Sequence, residues 1–571
     1  MMTTAPDPGG ASAAKASSVA EPAAVLGGGT VKIKRFTGLT AAIAVGALTL
    51  TACSSSSDDE ATTEESTGAS TGIVSVNGSE PQNPLVPANT NETGGGLLLD
   101  QLFSGLVYYD ADGAAHNEVA ESIESDDQQN WTITLKEGWT FSDGSPVTAS
   151  SFVEAWNWGA LLSNATLSSY FFEPIEGFSY DEESELKGQG LEVVDDQTFT
   201  VKLKQPEADF PLRLGYSAFY PLPESFFDDP EAFGEAPVGN GPYVLDEWTH
   251  DAEATFSPNE EYAGERTAQN GGVNVKFYQT QEAAYNDLLA GQLDIITAVP
   301  DSAFETYESD LGDRAVNQPA AIFQSFTIPE ELEGFTGEEG DLRRAAISKA
   351  IDRDTITDAI FSGTRTPASD FTSPVIDGWS DSVPGAEVTQ YDEAEAQDLW
   401  AQANEIAEWP EDRTFTIGYN ADGGHQAWVD ATTNSIKNVL GIQAEGNAYP
   451  AFAEFREDIT NRSIDGAFRT GWQADYPALG NFLGPIYKTG AGSNDGDYSN
   501  ADFDALLDEA ASAPSVEDSN ALYQQAQEIL FQDLPAIPLW YSNVTGGSAD
   551  TVEGVEFGWN SVPLLYEVTK N

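Results

Sequence analysis

The sequence predicts an α/β protein of about three domains, and three observations carry that prediction. At 571 residues the chain is too long for a single hydrophobic core. Between Val273 and Val299 a strand pattern (VNVKFYQ), a helix pattern (EAAYNDLLAG) and a second strand pattern (LDIITAV) follow one another, which is an α/β unit. Elsewhere, runs of strict alternation (WTITL from Trp131, TFTVKL from Thr198, RTFTIGY from Arg413) are interspersed with helical patterns. Hydrophobic residues at 40% and aromatics at 11% suffice for packed cores despite a net charge of −70.

From the N-terminus, residues 1–30 are small and polar without periodicity. Lys32, Lys34 and Arg35 then precede a mainly apolar run from Phe36 to Leu50. This is a basic n-region and an h-region of signal-peptide length, too short for a comfortable membrane span. The run ends in Leu50-Thr51-Ala52-Cys53, which resembles the lipobox of bacterial lipoproteins, where the peptide is cut before the cysteine and that cysteine is lipidated. An ordinary secreted chain is the alternative, and Val31 is a second possible start. Ser54 to Gly72 is a polar, acidic tether with no apolar face, and flexible-chain scaling gives its 19 residues a mean reach of about 25 Å.

The body opens with a strand at Gly72–Val76, then a Pro- and Asn-rich loop to Gly96. Leu97 to Val107 reads as a helix followed by a buried turn. Asp143-Gly144 marks a turn, and Ser151 with Glu154 reads as a capping box opening the helix SFVEAWNWGALL. Pro237 to Tyr243, PVGNGPY, is a tight loop suited to a passage between domains. Asp341 to Phe361 reads as one long helix, with Ala345, Ile347, Ile351 and Ile360 apolar and Gly363 as its stop. The loop Asn420 to His425 leads into a helix from Gln426 to Leu440. Helices at Asn500–Glu509 and Ser519–Gln532 and a strand at Pro535–Tyr541 complete the chain, with no repeat of 20 to 50 residues.

Composition excludes several functions. The first 52 residues hold four basic and two acidic side chains, so the remainder carries 92 acids against 20 bases. Such a field repels nucleic acid and anionic headgroups, favours solubility, and suits a saline or alkaline habitat. Cys53 is the single cysteine, so the folded part has neither disulfide nor thiolate nucleophile. His116, His250 and His425 lack zinc-ligand spacing, and the sequence calls for no metal or other cofactor. No nucleophile elbow, phosphate loop, zinc helix motif or dinucleotide fingerprint stands in a matching context. A glycoside hydrolase using two of the many carboxylates and some of the twelve Trp is the remaining enzymatic alternative, although nothing singles out a pair.

The candidate site is Phe468 to Pro477, FRTGWQADYP. The run from Ile464 to Trp472 reads as a strand, and Gln473 to Pro477 as the turn that ends it. Arg469 and Asp475 at a strand mouth suit a ligand carrying both signs of charge. A local salt bridge between the two is the plainer alternative.

Six blocks give this run a context: LFSGLVYYDADG, KEGWTFSDGSPVTASSFVEAW, PVGNGPYVLDEW, DLLAGQLDII, LRRAAISKAIDRDTI and GWQADYP. In content and order they resemble the oligopeptide- and dipeptide-binding receptors of ABC importers, family 5 of the extracellular solute-binding proteins, over nearly the whole mature chain. The resemblance implies a two-lobed clamp of the periplasmic-binding-protein type with an extra domain, closing by hinge motion. It divides the body into one lobe (73–103, 238–325 and 541–571), an additional domain (104–237) and a second lobe (326–540).

The resemblance also implies a site. Asp475 would grip a peptide's α-amino group, with Tyr170 as second partner. Gly471 and Gln473 would pair with the extended peptide main chain, and Thr93 and Gly94, in the loop from Glu92, with its other edge. Trp472 would form a cleft wall. Arg469 and His425 would meet the C-terminal carboxylates of peptides of different lengths, with Arg462 near a third such position. A turn cap at Asp475 and a solvated loop residue at His425 are the plain alternatives. Many members have a second Asp after DYP, where this chain has Ala478 and Leu479. The implied function is a lipid-anchored, monomeric, extracytoplasmic receptor that catalyses nothing. It would hand short peptides to a permease and its ATPase subunits and bind no nucleic acid. Other solutes bound in this family, such as sugars, opines and metal chelates, remain alternatives.

Overall fold

The computed structural model describes residues 70–421, 424–450 and 452–570. The expected signal peptide, Cys53 and the tether up to residue 69 lie outside the described residues.

Two six-stranded sheets frame the body. The first runs in the order Gly547–Ser548, Ile295–Ile296, Ile73–Gly78, Gly272–Phe277, Glu253–Pro258 and Tyr243–Thr249. Its Ile73–Gly78 strand is parallel to both neighbours, and the helix Gln281–Leu289 lies in the connection between those neighbours. Val74 and Val76 are fully buried, as a strand sandwiched between parallel partners requires. The second sheet runs Arg365–Pro367, Ala536–Val544, Gln318–Thr327, Ala467–Gln473, Thr414–Asn420 and Gln443–Tyr449. Phe323, Ile417, Trp540 and Tyr541 form part of its core. The expected boundaries at 325/326 and 540/541 fall inside the Gln318–Thr327 and Ala536–Val544 strands, which pair with each other.

A four-stranded antiparallel sheet, Ala120–Glu124, Asn130–Leu135, Thr198–Lys202 and Leu191–Val193, is inserted between the first two strands of the first sheet in sequence. The helix Ala149–Ala160 covers it, with Phe152 stacked on Phe199 at 5.9 Å and Trp156 edge-on to the same ring at 5.5 Å. The Trp156 indole N–H donates to the Phe219 carbonyl at 2.9 Å, so this large ring is buried with its polar atom satisfied.

Three local expectations are corrected. The helix expected from Leu97 spans Thr93–Leu102, starting just before the glycine run and taking it in. Glu92 caps it, its carboxylate accepting from Gly95 N at 2.9 Å. A Cβ on Gly94 would meet Ser79 Oγ at 2.5 Å, and one on Gly95 would meet Glu92 Oε1 at 2.5 Å. Crowding, not looseness, explains those glycines. The helix expected from Ser151 starts at Ala149 with Thr148 as its N-cap, and Thr148 N donates to Ser151 Oγ at 3.2 Å. Glu154 pairs instead with Lys187.

The helix expected over Asp341–Phe361 is two helices, Gly337–Lys349 and Arg353–Phe361. Asp352 caps the second, accepting from Thr355 N at 3.1 Å. The buried Arg353 guanidinium donates to the carbonyls of Ser348 at 2.9 Å and Pro538 at 2.8 Å, and also to Ile351 and Thr389. One side chain thus satisfies carbonyls that the break leaves without a helical donor.

Candidate functional site

The Ala467–Gln473 strand lies inside the second sheet for only part of its length. Phe468 to Gln473 face Thr327 to Ile322 of the Gln318–Thr327 strand in antiparallel register. On its other side, Thr414–Asn420 pairs with it at Ala467 and Phe468 only. From Thr470 to Gln473 the second edge therefore has no strand partner among the described residues. Gly471 and Gln473 are exposed there. An unpaired edge of this kind presents main-chain donors and acceptors to any extended chain laid beside it.

Beyond the strand, one buried amide organises the turn. Asn481, 2% exposed, sits in the helix Leu479–Tyr487. Its Oδ1 accepts from Asp475 N at 2.9 Å and from the Trp472 indole N–H at 3.1 Å, while its Nδ2 donates to Asp475 Oδ2 at 3.1 Å. Asp475 is half-buried, and among the described residues no cation pairs with it. Burial pushes its pKa up to about 6, with the Asn481 hydrogen bond opposing the rise. The plainer alternative, an Arg469–Asp475 salt bridge, does not form. Arg469 Nε donates to Asn420 Oδ1 at 2.7 Å, and its guanidinium lies 5.5 Å from the Phe455 ring centre.

Asp475 opens into a cleft of about 570 Å³. Its lining includes Gln473, Glu92, Thr93 and Gly94 at the N-terminal end of the helix Thr93–Leu102, Asp100 farther along that helix, and Tyr216. Gln473 Nε2 donates to the Asn560 carbonyl at 3.2 Å, tying the strand end to the C-terminal segment of the wall.

The remaining sequence-predicted residues lie outside that lining. Gly471 is on the open edge, and the Trp472 indole is tied to Asn481. Tyr170 is 41% exposed and packs on Phe171 at 4.4 Å. It is within electrostatic reach of the site, since its hydroxyl pKa is raised first by burial and next by the charge of Asp475. His425 precedes the helix Gln426–Leu440 and accepts from the Trp428 indole N–H at 3.1 Å. Arg462 forms a two-pronged pair with Asp497 at 2.8 and 3.0 Å.

Sequence reasoning missed Asn481, Asp100 and Tyr216. Burial raises the Tyr216 hydroxyl pKa most, and the charge of Asp475 adds to it. No periodic or motif signal distinguishes these three, because only the folded chain brings residues 100, 216 and 475 to one cavity. Among the described residues no group of three or more His, Cys, Asp or Glu is placed to hold a metal ion. No helix among them is long and apolar enough to cross a membrane.

An open strand edge, a half-buried carboxylate and a cleft between separate parts of the chain define a protein that holds an extended solute. Residues 114–494 match the middle region of the bacterial extracellular solute-binding proteins, family 5, and the chain belongs to that family. It is 28% identical over 488 residues to the probable deoxycholate-binding periplasmic protein YgiS of Escherichia coli, covering 81% of this chain and 87% of that protein. Identity is 27% over 495 residues to the periplasmic oligopeptide-binding protein OppA of Salmonella typhimurium, covering 82% and 87%. It is 25% over 467 residues to the dipeptide-binding protein DppE of Bacillus subtilis, covering 80% and 84%.

Among solved structures, the Escherichia coli murein tripeptide-binding protein MppA matches with a TM-score of 0.73 at 22% identity, over 87% of this chain and 98% of that one. OppA of Haemophilus influenzae, solved in complex with RPPGFSPFR, matches with a TM-score of 0.72 at 22% identity, over 88% and 99%. The two-lobed α/β clamp implied by the sequence is the fold these structures share.

Proposed function

We propose that this chain is the receptor of an ABC importer that captures short peptides outside the cytoplasm and delivers them to the permease and ATPase subunits. The observation that carries this reading is Asp475, a half-buried carboxylate that among the described residues has no cation, next to a strand edge from Thr470 to Gln473 that among them has no strand partner. A peptide's α-ammonium supplies the missing charge, and its main chain supplies the missing strand. The edge reads backbone rather than side chains, so it suits a carrier of mixed peptides. Relatives named as oligopeptide- and dipeptide-binding proteins agree with this. YgiS is named for deoxycholate, an anion, and Asp475 disfavours an anion at this position.

On this reading Thr93 and Gly94 flank the peptide, and Tyr170 assists at the amino group. Arg469 and His425 take the C-terminal carboxylates of peptides of different lengths, and Cys53 carries the lipid that holds the receptor at the membrane. The lobes follow the division given by the sequence blocks, with a passage near Pro237–Tyr243, except that the paired strands Gln318–Thr327 and Ala536–Val544 stay whole within the second lobe. The protein binds and releases without chemistry.

Calorimetry with paired tripeptides tests the assignment. A free-amino peptide should bind at least 100-fold more tightly than its Nα-acetylated form, because acetylation removes the charge that Asp475 requires. Equal binding of the two forms refutes the reading.

A further inference from the structure

The cleft holds more unneutralised negative charge than one α-ammonium can balance. Four carboxylates line it, Glu92, Asp100, Asp110 and Asp475, together with one guanidinium, Arg266. Arg266 is committed to the buried Glu118 through contacts of 3.0 and 2.9 Å, and also donates to Ser104 Oγ at 2.9 Å. Glu92 is occupied as a helix cap. Asp110 accepts from Ala114 N at 2.8 Å and lies 2.8 Å from the His116 ring. Among the described residues, the Asp475 carboxylate has only the neutral Asn481 side chain.

Asp100 is the fourth. Its Oδ1 accepts from the Tyr220 hydroxyl at 3.2 Å, and no described residue donates to Oδ2. It stands on the cleft side of the helix Thr93–Leu102, and its carboxyl pKa is raised, first by burial, with the Arg266 charge and the Tyr220 hydrogen bond opposing. The Tyr216 hydroxyl is raised after burial by the charge of Asp475 and also by that of Asp100, which places it within reach of both carboxylates. Among the described residues, the hydrogen-bond partners of both carboxylates are thus neutral groups, Tyr220 at Asp100 and Asn481 at Asp475.

We propose that this cleft selects peptides with a second positive charge near the amino terminus, the α-ammonium seated on Asp475 and a Lys or Arg side chain from the first two residues seated on Asp100. This rests on the peptide-receptor reading and sharpens it into a substrate class. An ammonium or guanidinium donates to the open Oδ2 of Asp100, while Tyr220 keeps its hold on Oδ1. The open strand edge cannot supply such a preference, since it contacts main chain alone. Selectivity for side chains must come from groups such as Asp100 that stand away from it.

The test compares peptides of matched shape. Lys-Ala-Ala and Ala-Lys-Ala are titrated calorimetrically against the same peptides with norleucine replacing lysine, using the wild-type protein and Asp100→Asn. Wild type should favour the better-placed lysine peptide by about tenfold, the equivalent of ~1.4 kcal/mol. The ratio should shrink at 0.5 M salt, because the contact is ionic, and Asp100→Asn should bring it near one. Equal wild-type affinity for lysine and norleucine peptides overturns the Asp100 assignment and leaves the amino-terminal reading standing. A lysine preference that survives Asp100→Asn also overturns it. Failure of every free-amino peptide to bind overturns both. The wild-type ratio needs no variant, so a folding defect in Asp100→Asn cannot mask the result.

Discussion

Asp475 should cost the empty receptor stability. The unfolded chain releases this proton near pH 3.8 and the folded chain near pH 6, so the folded state holds an extra proton between those values. Stability therefore falls as pH rises across that window and stays lower above it. At 1.36 kcal/mol per pH unit, the ionised folded form is penalised by about 3 kcal/mol at neutral pH. Asp475→Asn keeps an oxygen to accept from Asn481 Nδ2 and removes the buried charge. The variant should be more stable than wild type at pH 7.5 by about 1–3 kcal/mol, and the difference should vanish near pH 4. Thermal melts of both ligand-free proteins at the two pH values measure this. A variant less stable than wild type at pH 7.5, or a difference independent of pH, refutes the argument. Gained stability together with lost peptide affinity is the signature of a charge kept for function rather than for folding.

Two further substitutions test neighbouring parts. Asn481→Ala should leave the Asp475 amide and the Trp472 indole without their acceptor, at about 1–3 kcal/mol each for whatever stays dry. It should lower both the melting temperature and the affinity for free-amino peptides, and unchanged values of both would remove Asn481 from its organising role. Gly94→Ala should cost about 1–3 kcal/mol through contact with Ser79 Oγ at 2.5 Å and the Ser79 carbonyl at 2.7 Å. Denaturant midpoints check this, and a stabilised variant would contradict the crowding argument.

What the sequence made legible follows from the range of each interaction. Alternation in WTITL and RTFTIGY is a local record of one buried face, and both runs are strands. The strand before Asp475 was legible as a continuous apolar run, and it forms Ala467–Gln473 of the second sheet. The helix start at Thr93 was hidden, because a run of three glycines reads as loop by propensity while Ser79 and Thr90 press against it in the fold. The break between Lys349 and Arg353 was hidden for the same kind of reason, since its stabilising contact reaches Pro538, far along the chain. Asp100 and Tyr216 carry no pattern at all, and their relation to Asp475 exists only through topology.

The edge from Thr470 to Gln473, without a strand partner among the described residues, has a consequence beyond ligand capture. Such an edge is a template for any strand, including one from a second copy of the same protein. Here it is only four residues long, and every copy carries a large charge of the same sign, −70 over the chain. Repulsion between like-charged copies works against such pairing, most strongly at low ionic strength, and a short peptide of small net charge does not meet it. A charge of this size thus opposes the edge-to-edge pairing that an uncovered strand would otherwise invite.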